Sequence, residues 1–492
     1  MTSTLRSVSA DSAAEGMSRR MFLWSTAVAG GGFLLASAVR SPAATLVGAA
    51  GVSPHAGELP LTPWVRITPD NVVTVIVSQT EIGQGISTTL PAILARELGA
   101  NWDAVRLETA PYAPAYRNPE RQWMFTGNSE SVQAFHDLMR QMGAAAREMV
   151  TSAAASRWGV SPDSCRTEKG FVLHDASGKR LSFGAVAADA AKLPVPAKPK
   201  LKSSGEPALV GKPIPRIDIP AKVDGTARFG IDMQLPGMLA AAVRTAPTLA
   251  GKQRSVNRAA VEKMPGVRAV VPLENGAAVV ADTYWQARTA LRKLPLEFDP
   301  GPNPDLSSSK LLAEYRQALE NGPWATPVNT GDAESALQKA SRKVSADYES
   351  PFMAHATMEP MNCVASVTQD RCEIWAPTQG QELAFFALKE TLGLKDDQIQ
   401  VNRSPYVGGG FGRRLLPDFV VQAAVISKAV GRPVKVIWDR RKGERRAATD
   451  AKGLDDRRKR ERRQRPPFSW HVADFVVVER PRRKRLKKKE AR

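Results

Sequence analysis

The pattern of this chain breaks at Asp439. Upstream, β-branched runs, apolar residues at three-and-four spacing and turn residues alternate as in a folded protein. Downstream, residues 440–492 carry 22 Lys+Arg against 8 Asp+Glu. Between Arg441 and Pro466 only Ala447, Ala448, Ala451 and Leu454 are apolar. Such a segment cannot bury enough surface to offset the entropy of ordering it. Residues 441–466 are therefore not expected to fold alone. The formal charge of +20 divides the same way, +14 on the tail and +6 on the remaining 47 basic and 41 acidic residues. The tail's charges follow no helical stripe, and Phe468, Trp470 and Phe475 give little aromatic interleaving, so nucleic acid is not the expected partner. Two accounts of the tail stand side by side: a basic arm for an anionic surface or nucleic acid, or the product of a shifted reading frame, which the patternless composition favours.

The other end reads as an address. Ser18-Arg19-Arg20-Met21-Phe22-Leu23 opens an uncharged, Ala/Gly-rich stretch to Val39. Twin arginines before such a segment read as a twin-arginine export signal over residues 1–50. A membrane anchor is the alternative, weakened by Gly30-Gly31-Gly32. Export predicts a periplasmic protein, or one on the periplasmic face of the inner membrane.

The body reads as α+β in three units. Residues 61–200 hold a strand at Asn71–Ser78, a helix at Thr88–Leu98 and a long helix at Ser131–Trp158. Ala191–Pro220, with seven prolines, is a boundary. Residues 215–300 are strand-rich: Val267–Val271 and Ala277–Ala281 flank the hairpin signal Asn275-Gly276, and a helix follows at Thr283–Arg292. Residues 330–439 carry strands at Val344–Tyr348, Cys363–Val367, Cys372–Trp375, Ile399–Arg403 and Val434–Trp438. Helices fall at Glu382–Leu392 and Asp418–Val430.

No protein-ligated metal centre is expected. The five His are dispersed, and Cys363 and Cys372 are nine apart. Three Cys cannot form a disulfide scaffold or hold an iron–sulfur cluster. Chemistry concentrates instead in turns. Glu81-Ile82-Gly83-Gln84-Gly85 precedes a helix whose N-terminus favours an anion, and its glycines permit close backbone approach. Thr126-Gly127-Asn128-Ser129-Glu130-Ser131 opens the long helix, with Ser129 or Ser131 as its cap or as a phosphate grip. Val407-Gly408-Gly409-Gly410-Phe411-Gly412-Arg413-Arg414 offers amides to an oxyanion, an apolar ring and two bidentate arginines. Trp375-Ala376-Pro377-Thr378-Gln379-Gly380 places Gln379 between a strand and a helix. His355 and Glu359 read as a buried histidine and an ion-paired glutamate. Capping, connection and packing are the plainer readings of all these turns.

Taken in order, SRRMFL, EIGQG, TGNSESV, KVDGTARFGIDMQLPGMLAAAV, AHATMEPMNC, WAPTQ and GGGFGRR resemble the molybdopterin-binding large subunit of the xanthine dehydrogenase/aldehyde oxidase family. The isoquinoline 1-oxidoreductase beta-subunit type is the nearest likeness. The resemblance covers about Leu61 to Asp439. It implies a multidomain molybdenum-hydroxylase architecture, incomplete at the C-terminus, with an aldehyde oxidase/xanthine dehydrogenase hammerhead domain at 215–300. Cofactor-binding segments at 61–200 and 330–439 flank that domain. The implied cofactor is a molybdenum–pterin group, in its cytosine dinucleotide form. Gln379 corresponds to the glutamine near the molybdenum oxo group. Gly410, Phe411 and Gly412 correspond to the loop beside metal and substrate. Gln84 and Gly85 fall in the turn beside the pterin, and Ser129 and Ser131 in the region gripping the cofactor phosphate. The implied reaction hydroxylates an N-heteroaromatic compound or an aldehyde with oxygen from water. Electrons would leave through a small partner subunit with two [2Fe–2S] clusters, and a cytochrome c is a candidate acceptor. The family's general-base glutamate has no counterpart before Asp439. A truncated and inactive chain is therefore one expectation, and a non-catalytic exported binding protein is the alternative.

Overall fold

The computed structural model describes residues 59–203, 213–323, 325, 330–350, 352 and 355–438. The export-signal region and the basic tail lie outside these residues. No helix among the described residues is long and apolar enough to cross a membrane.

The first part of the chain forms a four-stranded sheet in sequence order. Its strands are β1 (Leu59–Thr62), β2 (Val65–Ile67), β3 (Val73–Val77) and β4 (Val105–Thr109). The pairing of β3 with β4 is parallel, so the chain needs a crossover. Helix α1 (Ile86–Leu98) supplies it, ending on a left-handed Gly99. Helix α2 (His136–Trp158) packs against α1. The contact is close enough that a Cβ on Gly143 would lie 2.4 Å from the Leu94 carbonyl. Trp64, Phe135, Leu90, Leu94, Met139 and Phe183 fill the core between sheet and helices.

Helix α2 starts five residues later than the spacing predicts. Asn128 and Ser129 both have positive φ, 53° and 58°, and this left-handed turn cannot begin an α-helix. The Ser131 hydroxyl donates to Gln79 Oε1 at 2.7 Å. Phe135 occupies the cap position with no side-chain cap. Neither serine caps the helix.

A small antiparallel sheet follows, β5 (Arg166–Glu168), β6 (Phe171–His174) and β7 (Lys179–Ser182), then α3 (Phe183–Ala190), capped by Ser182. The start of the proline-rich boundary is tied down rather than loose. Arg140 donates to the Lys202 carbonyl and Arg96 to that of Ser203, while buried Glu97 accepts the Lys202 amide at 2.9 Å.

The rest of the fold centres on one seven-stranded mixed sheet. Helix α4 (Ile219–Val223) precedes it. Its strands are β8 (Leu239–Thr245), β10 (Val267–Leu273), β11 (Gly276–Ala281), β13 (Asn362–Val367), β14 (Cys372–Ala376), β15 (Ile399–Arg403) and β16 (Val434–Trp438). The order is β10-β11-β8-β16-β13-β14-β15. Strands from the 215–300 and 330–439 segments thus share one sheet, joined where β16 pairs in parallel with β8. The remaining pair, β9 (Lys252–Val256) and β12 (Leu296–Asp299), is separate.

Helix α5 (Tyr284–Lys293) opens with a Thr283/Gln286 capping box and covers one face of β8, β10 and β11. Helices α8 (Gln381–Leu392) and α9 (Asp418–Val430) cover the opposite face, where Phe385, Phe419, Ile374 and Val436 are buried. Helices α6 (Ser308–Asn321) and α7 (Ala333–Lys339) bury no residue. Val344–Tyr348, expected as a strand, pairs with no strand among the described residues, and both named residues are exposed. Alternating apolar residues make a strand only where a neighbouring strand accepts their backbone groups.

Candidate functional site

Four turns converge where β3, β14 and β15 end. Thr80 links three of them. Its amide donates to Thr126 Oγ1 at 2.8 Å and its hydroxyl to the Thr378 carbonyl at 3.0 Å. Across the cluster, the Val407 amide donates to the Glu81 carbonyl at 3.2 Å. The turns singled out from the sequence are therefore neighbours, although they lie in two segments more than 200 residues apart.

Gln379 sits at the centre, 4% exposed. Its Nε2 donates to the Thr126 carbonyl at 2.9 Å, and its Oε1 accepts the Gly412 amide at 3.1 Å. Its own carbonyl accepts the Thr126 amide at 2.7 Å. A carboxamide nitrogen carries two N–H groups, and the Thr126 carbonyl takes one of them. Gly410 must be glycine for a simple reason: an added Cβ would lie 2.5 Å from Gln379 Oε1 and 3.3 Å from the Ile82 side chain. Phe411 is held at φ 54° and is 61% exposed. It presents an apolar ring at the rim, beside exposed Gly412. Exposed Met358 approaches the same loop.

The amides of Gly83, Gly85, Gly408, Gly409 and Gly412, expected to wait for an anion, are already taken within the protein. At the N-terminus of α1 the anion is the protein's own Glu81. Its carboxylate accepts the amides of Gly83, Gly85 and Ser87 at 2.9–3.0 Å and the Ser87 hydroxyl at 2.8 Å. Arg216 lies 3.4 Å from the same carboxylate. Arg216 also pairs with buried Asp218, whose other partner is Lys222. Gln84 is exposed and folds onto its own turn, donating to the Thr80 carbonyl and accepting from the Ile82 amide. In the glycine-rich loop the Gly408 amide goes to Glu359 Oε2 at 2.8 Å and that of Gly409 to the Val407 carbonyl.

The paired arginines are likewise occupied. Arg413 makes a bidentate pair with Asp418 at 2.8–2.9 Å. Arg414 is fully buried. Its guanidinium donates to the carbonyls of Gly409, Pro377 and Glu359, and Glu359 Oε2 lies 3.4 Å away. Burial pulls its pKa down to about 10, which leaves it charged at neutral pH. Glu359 is buried and ion-paired as expected, but His355 is exposed rather than buried.

Sequence reasoning missed a second buried guanidinium. Arg403 donates to the carbonyls of Val77 and Ser78 and to Thr80 Oγ1. No carboxylate among the described residues pairs with it. Burial draws its pKa down to about 9. It thus places a positive charge beneath the turn cluster at neutral pH.

Ser129 is exposed on its left-handed turn, whose Glu130 is fixed by Arg121 and Asn118. Ser131 is tied to Gln79 as described. Gln84, Ser129, Phe411 and Gly412 are thus exposed at the rim, with Gln379 buried beneath. An added Cβ at Gly83 or Gly412 would meet nothing within 4 Å, so a large group can approach the backbone there. Among the described residues, no group of three or more His, Cys, Asp or Glu is placed to hold a metal ion. The polar group these turns leave open at the rim is the exposed Ser129 hydroxyl, since the amides of Gly83, Gly85, Gly408, Gly409 and Gly412 are bonded within the protein.

Comparison with known proteins gives the class. Molybdopterin cofactor-binding domain models match residues 43–213 and 318–448, the second running past the Asp439 at which the likeness was expected to stop. Isoquinoline 1-oxidoreductase subunit beta from Brevundimonas diminuta is 33% identical over 422 residues, covering 77% of this chain and 54% of that protein. Membrane-bound aldehyde dehydrogenase (pyrroloquinoline-quinone) from Gluconacetobacter polyoxogenes is 33% identical over 411 residues, covering 79% and 51%. A solved structure, aldehyde oxidoreductase from Desulfovibrio gigas, matches with TM-score 0.40 and 22% identity, covering 53% of this chain and 34% of that one. The chain belongs to the molybdopterin-binding subunits of the xanthine dehydrogenase family. It spans about half the length of the curated relatives it matches.

Proposed function

We propose that this chain is the molybdenum–pterin-binding portion of a hydroxylase or dehydrogenase acting on an N-heteroaromatic compound or an aldehyde. The observation that carries the reading is Gln379. It joins the Thr126 and Gly412 turns at the carboxyl ends of the strands. When bound, the pterin-held molybdenum supplies two-electron redox chemistry with water-derived oxygen.

The residues of this chain bind and orient. Gln379 donates its second N–H to an oxygen of the bound group. Gln84 and Gly85 line the pterin side, and Ser129 and Ser131 lie toward its phosphate, with the cytosine dinucleotide form as the candidate ligand. Gly410 and Gly412 keep the loop close to Gln379, and Phe411 offers its face to a planar substrate. Arg403, buried without a counter-ion among the described residues, favours an anionic ligand above it.

Cys363 and Cys372 are buried and Cys165 is half-buried, so a separate small [2Fe–2S] subunit is the proposed electron carrier, with a cytochrome c as a candidate acceptor beyond it. The twin arginines support export to the periplasm or to the periplasmic face of the inner membrane.

The test is to produce the chain together with any co-encoded iron–sulfur protein and measure molybdenum, pterin and released cytidine nucleotide. Stoichiometric molybdenum, lost on substitution of Gln379 by Leu while the fold persists, is the expected result. A folded protein that never acquires molybdenum or pterin would overturn the reading.

A further inference from the structure

One face of the β13–β16 half of the sheet packs on α8 and α9 through Cys363, Ala365, Ile374, Ala376, Val401 and Val436. Side chains alternate along a strand, so Asn362, Val364, Trp375, Asn402 and Lys435 stand on the other face. Strand register sets Lys435, Val364, Trp375 and Asn402 side by side in one row across four strands. Lys435 donates to the Ile231 carbonyl at 2.7 Å, which brings the Gly230–Asp232 turn over this face.

Three polar atoms here have no partner among the described residues: Asn362 Oδ1, Trp375 Nε1 and Asn402 Nδ2. Their residues are 0%, 7% and 8% exposed. Buried polar groups in folded proteins are nearly always hydrogen-bonded, so three orphans on one covered face require an explanation.

The orientation of Asn402 is fixed rather than arbitrary. Arg371 can only donate, and it donates to Gln400 Oε1 at 3.1 Å. Gln400 must then turn its Nε2 outward, and this donates to Asn402 Oδ1 at 3.1 Å. Asn402 is left with its Nδ2 pointing on, beside an indole that can only donate. Two donors on paired residues of adjacent strands face no acceptor.

We propose that a buried water molecule occupies this position, accepting from Trp375 Nε1 and Asn402 Nδ2. Water has the two lone pairs that two donors need and the small size that a covered sheet face demands. Asn362 Oδ1 lies two residues along β13 from that row, against Gly230, and is outside this assignment. This water pins the penultimate residues of β14 and β15 together. Those strands lead directly into the Gln379 turn and the glycine-rich loop, so it fixes the spacing of both. The assignment does not depend on which cofactor the turns hold.

A crystal structure of the full chain that resolves ordered water tests it directly. The expected result is one isolated peak about 2.7–3.2 Å from both nitrogens. Nitrogens bonded to protein atoms, or packed with no peak between them, overturn it. Unfolding measurements on Trp375→Phe, Asn402→Leu and the double variant give a second arm. Each single change should shift the folding equilibrium about tenfold toward unfolded, and the second change should cost clearly less once the first is made. Additive effects, or an Asn402→Leu protein more stable than its parent, overturn the proposal. Should Asn402→Leu fail to fold, the crystal peak and Trp375→Phe decide, and a Trp375→Phe protein as stable as its parent counts against the water.

Discussion

The two glycine-rich turns solve one problem in opposite ways. The 81–87 turn is wired from within: Glu81 takes three amides no more than six residues away. The 408–414 loop is wired from outside. Gln379 and Glu359 take its amides from 33 and 49 residues away, and Arg414 threads back to Gly409, Pro377 and Glu359. A locally wired turn can keep its shape when the surrounding fold loosens. A turn wired by distant segments has its shape only when those segments are docked. The second turn, which carries Phe411, should thus report on the integrity of the whole cluster.

Arg414→Met should show the largest effect. It leaves the Glu359 carboxylate buried without its cation and the carbonyls of Gly409 and Pro377 without a donor, a loss of about 3–5 kcal/mol. Denaturant unfolding checks this, and a cost under about 1 kcal/mol would remove the contrast between the turns. Glu81→Gln comes next, at about 2 kcal/mol, because one neutral oxygen replaces a carboxylate that serves three amides. Hydrogen exchange should then speed at Gly83, Gly85 and Ser87 and stay unchanged at Gly408 and Gly412. Exchange rising in both turns would show that they are one unit.

Gly410→Ala should cost about 1–3 kcal/mol by pushing on Gln379. In the same assay Gly83→Ala meets no atom and pays only for its positive φ. Equal costs would argue that backbone conformation, not packing, decides both.

The smallest effect concerns pH. Burial would raise the Asp218 carboxyl, but hydrogen bonds from Arg216 and Lys222 outweigh it and hold the group at about 2, against an ordinary 3.8. A depressed acid stabilises the folded state above its ordinary pKa and loses that contribution as pH falls through the folded value. Stability should therefore decline between about pH 4 and 2, and Asp218→Asn should flatten that limb. Since Arg216 also touches Glu81, the variant should loosen the first turn before the second.

Much of this was legible from residue pattern. Ile399–Arg403, Asp418–Val430 and Val434–Trp438 fall where periodicity and turn residues put them, because each buries a full stripe or face. The turns could be found because glycine and hydroxyl residues interrupt those patterns. Their wiring could not. Nothing local distinguishes Arg413, which pairs with Asp418 near the surface, from Arg414, which is swallowed by carbonyls of other segments. Arg403 reads as the polar end of a strand, and only the fold brings β3's terminal carbonyls to it. Glu81 left one signal, an acid four residues before a glycine that opens a helix. Val344–Tyr348 misled for the converse reason: its composition suits a strand, and no described strand lies beside it.

The order of the seven-stranded sheet has a consequence for synthesis. Its central strand, β16, is the last of the seven to leave the ribosome. Until residue 438 emerges, β8 and β13 each present an unpaired inner edge, the kind of surface that recruits wrong partners. The nascent protein carries two half-sheets that can meet only through a strand not yet made. Joining them is then a single late event that brings the 239–281 strands and the Gln379-bearing strands into one sheet at once.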